Sequence, residues 1–156
     1  WLLLLALMTL LFSGYLEREE NPNAQIASVT GITGTEIILH QNRRGHYVAT
    51  ALFNDIPVDI MIDTGATEVS VPEAIAEELG LVRGTIMEVS TANGTIPVHA
   101  TVIATIKLGA LVLHNVRANI NPYMDEQFVL LGMSFLKRIE FTQKQGQLIL
   151  KLAEQQ

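Results

Sequence analysis

From residue 35 onward the chain reads as short stretches in which apolar and polar residues alternate, broken by turn-forming residues. Residues 56–62 show it most clearly. Ile56, Val58, Ile60 and Ile62 fall on one face and Asp59 and Met61 on the other, the period-two pattern of a half-buried strand. Similar runs are expected at 36–40, 46–53, 69–71 and 84–91, then at 96–108 and 111–120. Residues 128–131 form a fully apolar strand, and 140–142 with 147–152 a last hairpin. Turns fall at 42–45, 54–55, 92–95, 109–110 and 144–146, with Asn93-Gly94 carrying the strongest hairpin signal. One segment breaks the pattern. Residues 72–80 open on a proline, continue with an acid and close on Gly80, which predicts a short helix with Ile75 and Leu79 on one face. Residues 133–137 fit a short helical turn. Many short strands with one helix indicate an all-β barrel or sandwich.

The first 34 residues follow other rules. Residues 1–16 are uncharged and almost wholly apolar, slightly short for a span of about 20 residues. They are expected to be a transmembrane anchor, truncated at its start, or else a signal segment; the residues around Ser13-Gly14 fit a cleavage pattern poorly. Residues 17–34 read as a polar linker, opening on Glu17-Arg18-Glu19-Glu20. Cytoplasmic flanks carry excess Lys and Arg, so an acidic flank suggests a single-pass protein whose domain, residues 35–156, is extracytoplasmic.

Composition narrows the chemistry. With 49% hydrophobic residues the chain can bury a core, and a net charge of −6 with scattered basic residues argues against a nucleic-acid partner. There are no cysteines, so thiol nucleophiles and thiolate metal sites are excluded. His40, His46, His99 and His114 are dispersed without metal-binding spacing, no phosphate-cradling glycine loop is present, and Gly132-Met133-Ser134 lacks the closing glycine of a nucleophile elbow. No metal and no cofactor is expected.

What remains is Asp63-Thr64-Gly65, where an apolar strand ends in a carboxylate. The bare tripeptide occurs by chance in roughly 3% of chains this long, and an aspartate capping a turn is the plain alternative. Its setting adds specificity: apolar strands on both sides, the Ala92-Asn93-Gly94 hairpin some thirty residues on, and the apolar strand Leu130-Leu131 ending in Gly132. With these elements in this order, residues 35–152 resemble the retropepsin-like aspartic proteases, in particular the bacterial membrane-anchored, single-domain kind.

The resemblance implies a closed or partly open acid-protease barrel behind an N-terminal transmembrane helix. It implies Asp63 as the catalytic residue, Thr64, Gly65 and Ala66 as support of its loop, Ala92, Asn93 and Gly94 as a flap over substrate, and Leu130, Leu131 and Gly132 as packing beneath the loop. Two departures from the viral members stand out. Thr67 occupies a position where they carry an acid, and Met133-Ser134 stands where they carry Arg followed by an acid or amide, so the Arg–carboxylate bridge that supports the viral dimer is missing.

Hydrolysis of a peptide bond without metal or nucleophilic side chain needs a base for water and an acid for the carbonyl. Two carboxylates a few ångströms apart serve, because they cannot both ionise and so share one proton. The chain holds one Asp-Thr-Gly, so the second carboxylate must come from a second copy in a C2 homodimer, with an acid-shifted pH optimum. An extended peptide or protein substrate would pair with the hairpin as an added strand. Two other readings stand beside this one: a non-catalytic peptide-binding or scaffold module of the same fold, and a monomer in which an exposed Asp63 merely caps its turn.

Overall fold

The computed structural model describes residues 1–26, 28–31, 34–91, 94–124 and 127–152. Eleven strands and three helices are found among them: α1 (Leu2–Glu20), β1 (Ser28–Gly31), β2 (Gly34–His40), β3 (Val48–Phe53), β4 (Ile56–Ile62), β5 (Val69–Pro72), α2 (Glu73–Glu78), β6 (Ile86–Thr91), β7 (Gly94–Leu108), β8 (Leu111–Asn121), β9 (Val129–Leu131), α3 (Met133–Leu136), β10 (Ile139–Lys144) and β11 (Gln147–Leu152). Six strands form a closed ring in the order β3-β4-β9-β5-β8-β7, shut by pairing of β3 with β7 at Leu52–Lys107 and Phe53–Ile106. β6 hangs outside the ring on β7, and β1-β2-β11-β10 make a second, four-stranded sheet.

The alternation read from the sequence fills this barrel. On β4, Val58 and Ile60 are buried while Ile56 and Asp59 face solvent. Ile60 joins Phe53, Ile103, Ile106, Val71, Leu131 and Phe135 in one core. The β3–β4 turn has positive φ at both Asn54 (50°) and Asp55 (69°), the geometry that matches the twist of a two-residue hairpin. Asn54 also shuts the ring. Its N–H donates to Thr105 O (2.9 Å) and its Oδ1 accepts from Thr105 N (3.0 Å). The helix expected at 72–80 is α2. It ends where Gly80 N donates to Glu77 O and Leu81 N to Ala76 O, a cap that needs the φ of +63° found at Gly80.

The N-terminal apolar run forms a helix. No helix among the described residues is long and apolar enough to cross a membrane. α1 has 19 residues, but its last four are Glu17-Arg18-Glu19-Glu20, and the 15 uncharged residues before them rise only about 22 Å, against a ~30 Å hydrocarbon core. Leu2 to Leu5, Leu7, Met8 and Phe12 lie exposed.

The stretch expected as a linker is built into the structure. α1 runs through Glu20, and Ser28–Gly31 pair antiparallel with β2. Between them Asn23, only 3% exposed, imitates a strand. Its Nδ2 donates to Val48 O (2.7 Å) and His40 O (2.9 Å), and its Oδ1 accepts from His40 N (2.8 Å). A carboxamide can satisfy donor and acceptor backbone groups at once, which is why a residue of loop-forming type sits at a buried position.

Candidate active site

Asp63 follows the last residue of β4. The strand beside it is β9, paired in parallel as Ile60–Val129, Met61–Leu130 and Ile62–Leu131. β9 also touches β5 at Ser70–Leu130. The apolar strand read as packing under the loop is therefore wedged between the strand that enters the loop and the strand that leaves it. Leu131 is buried in the core and Leu130 faces the cleft above.

The loop is held by a short set of bonds. Asp63 N donates to Leu131 O (3.3 Å) and Ala66 N to Asp63 O (3.3 Å), while Met133 N donates to Ala66 O (2.8 Å). Asp63 Oδ1 accepts from Gly65 N (2.8 Å). That last bond is the turn cap of the alternative reading, and it occupies one carboxylate oxygen. The other makes no hydrogen bond among the described residues, and Asp63, half-buried, borders a cleft of about 720 Å³. Gly65 and Ala66 line the same cleft; Thr64 is exposed at the loop tip. Opposite stands β6, with Met87 and Val89 facing in. The β6–β7 ladder runs to Thr91–Gly94, and Gly94 has φ +121°. Ala92 and Asn93, the expected flap tip, lie outside the described residues.

Residues 49–138, more than half of the chain, match the family described as "gag-polyprotein putative aspartyl protease". The chain belongs to the retropepsin-like aspartic proteases. Among solved structures it is similar to a retropepsin-like aspartic protease from Rickettsia conorii, with 27% identity over 81% of this chain and 94% of that one and a TM-score of 0.60. An EIAV protease in complex with an inhibitor aligns at 22% identity over 59% of this chain and 86% of that one, with a TM-score of 0.49. An uncharacterized protein in the cobV 5′ region of a Sinorhizobium species is 28% identical over 111 residues, 69% of this chain. The chain spans about half, 48%, of the length of that curated relative.

Within this retropepsin-like barrel, two features carry weight that sequence reasoning did not assign. In the sequence Ser134 stands out only as the serine of an incomplete nucleophile elbow and as a departure from the viral pattern. Its Oγ accepts from Val69 N (2.9 Å) and donates to Arg117 O (2.6 Å), tying the start of α3 to β5 and β8 beside the loop. Ser134→Ala is expected to cost about 2 kcal/mol, because the Val69 amide is part-buried and loses its acceptor. Urea unfolding measures this, and an unchanged midpoint would show that the bond does no structural work. The second feature is a buried polar pair in the wall of the cleft, Ser70 Oγ donating to Asn119 Oδ1 at 2.8 Å, with Asn121 beside it. Polar residues scattered along strands give no local signal of meeting 49 positions apart.

Proposed function

We propose that the protein is an aspartic endopeptidase that works as a C2 homodimer, with Asp63 of each copy forming one carboxylate pair. The observation that carries this reading is the geometry of Asp63: one oxygen is fixed by Gly65 N, the other is without a partner among the described residues, and the residue opens onto a cleft roofed by a β-hairpin. These 156 residues hold one Asp-Thr-Gly, and a second copy would supply the other carboxylate of the pair.

In the pair, the ionised carboxylate takes a proton from water as the water oxygen attacks the peptide carbonyl carbon. The protonated carboxyl gives its proton to the carbonyl oxygen. Collapse of the tetrahedral intermediate then breaks the C–N bond, with a proton passing to the leaving nitrogen. Thr64, exposed and with no hydrogen bond of its own among the described residues, would bond across the axis; Gly65 and Ala66 hold the loop. Ala92, Asn93 and Gly94 would close over an extended peptide as an added strand. No metal or cofactor enters the reaction.

Mixing tests the shared site. In an equal mixture of wild-type and Asp63→Asn chains that exchange freely, only a quarter of dimers carry two aspartates, so activity is expected to fall to about half that of the same wild-type chains alone. Activity unchanged by the mutant chains would mean that one copy suffices.

Membrane attachment belongs to the same proposal. The exposed apolar residues of α1 and the acidic turn that follows fit a domain held outside the cytoplasm by its N-terminal segment.

A further inference from the structure

The wall of the cleft is polar where a sheet centre is ordinarily apolar. Strands β5 and β8 pair in parallel, Val69–Ala118 and Ser70–Asn119 among them, and their alternate residues point opposite ways. Val69, Val71, Ala118 and Ile120 enter the core. Ser70, Asn119 and Asn121 line the cleft, and Glu68 lines it just ahead of β5. Ser70, Asn119 and Asn121 are 7%, 3% and 5% exposed. Polar groups buried to that degree cost free energy unless something bonds to them. Ser70 Oγ donates to Asn119 Oδ1 and Tyr123 N donates to Asn121 Oδ1, while Asn119 Nδ2, which is not fully buried, has no protein partner among the described residues and is open to the cleft.

The charge in the cleft has one sign. Its described lining includes Asp63, Glu68 and Glu88 and no Lys, Arg or His. The side chain of Glu68 is 13% exposed. Among the described residues the cation paired with it is Arg117, whose Nε lies 3.8 Å from Oε1 on a side chain 77% exposed, at the outer limit of an ion pair. Glu68 also borders a second hollow, of about 570 Å³, that Arg117 lines from outside. Its carboxylate therefore borders the cleft with only this long contact to a cation.

We infer that Glu68, with Ser70 and Asn119, forms a subsite that selects a basic side chain, lysine or arginine, at a position flanking the cleaved bond. This rests on the protease reading and names its substrate class. The ammonium or guanidinium group would be received by Glu68, and the free Nδ2 of Asn119 would bond a carbonyl of the same peptide. Met87, Val89 and Leu130 in the same cleft would take the apolar stem and neighbouring residues.

The test uses the full chain and pairs of peptides that differ only by lysine or the uncharged isostere norleucine at each position of a peptide that it binds, around the cleaved bond where there is one. Binding of the same peptides to Asp63→Asn is followed by fluorescence anisotropy. Lysine is expected to raise kcat/KM at one flanking position about tenfold over norleucine. Glu68→Gln is expected to bring that ratio close to one, and Arg117→Gln, which removes the competing cation, to raise it. The Arg117 variant keeps the proposal testable if the Glu68 variant does not fold. Cleavage that ignores the lysine, or a preference untouched by both substitutions, overturns the subsite while leaving the protease reading intact. Peptide binding with the lysine preference but no cleavage by the wild type upholds the subsite and overturns the protease reading. Absence of peptide binding overturns the subsite.

Discussion

Gly132→Ala is expected to destabilise the protein by about 3 kcal/mol or more and to remove activity with it. A Cβ at this position would lie 2.2 Å from Glu68 O and 2.6 Å from Ala66 O. Both obstacles are main-chain atoms of the Asp63 loop, so no rotamer change relieves them. Moving the loop away would stretch the bond from Met133 N to Ala66 O, which anchors it from below. Backbone conformation is not the cause: Gly132 has φ −88° and ψ −168°, open to any residue. The glycine is required by close approach alone. Gly80→Ala is the matching control. There φ is +63° and the added Cβ meets nothing within 4 Å, so the cost is the conformational one of about 1 kcal/mol. Denaturant midpoints of the two variants separate the causes. Equal, small shifts would mean that the loop does not pack on Gly132.

The sequence shows such a glycine but not the reason for it. Local rules reached what depends on neighbours in the chain: the alternation of 56–62, the turn at Asn54-Asp55, the cap at Gly80 and the apolar strand before Gly132. They could not reach partners. The parallel pairings β4–β9 and β5–β8, which bring the loop, its support and the cleft wall together, join segments about 70 and 50 residues apart and leave no mark on periodicity. Only the resemblance to a known family placed Leu130-Leu131-Gly132 under Asp63. Two polar residues were undervalued for the same reason. Asn23 and Ser134 have turn-forming composition, and their work is to replace missing backbone partners far away in sequence. At the N-terminus, hydropathy registered an apolar run and its charged flank, but not that the helix continues through Glu20 or that Ser28–Gly31 form a strand.

Asp63→Asn is expected to lower kcat by about a thousandfold or more while fold, peptide affinity and dimer remain. The substitution keeps the shape of the side chain and an oxygen able to accept from Gly65 N, the bond that shapes the turn. Asp63 is half-buried, so exchanging a carboxylate for a carboxamide changes little packing. What disappears is the ability to take a proton from water and to hand one to the carbonyl, since a carboxamide does neither at ordinary pH. In a symmetric pair the loss strikes both members at once. The effect should fall on kcat with KM nearly constant, because the cleft walls proposed to receive the peptide are untouched. Asp63→Ala separates the two roles of this residue. It removes the acceptor for Gly65 N as well, so it should lose the same activity and about 1 kcal/mol of stability besides. A stable Asp63→Asn protein that still cleaves at the wild-type rate would place the chemistry elsewhere. An Asp63→Asn protein that unfolds would make the carboxylate a structural cap, and the cleft a binding site without catalysis.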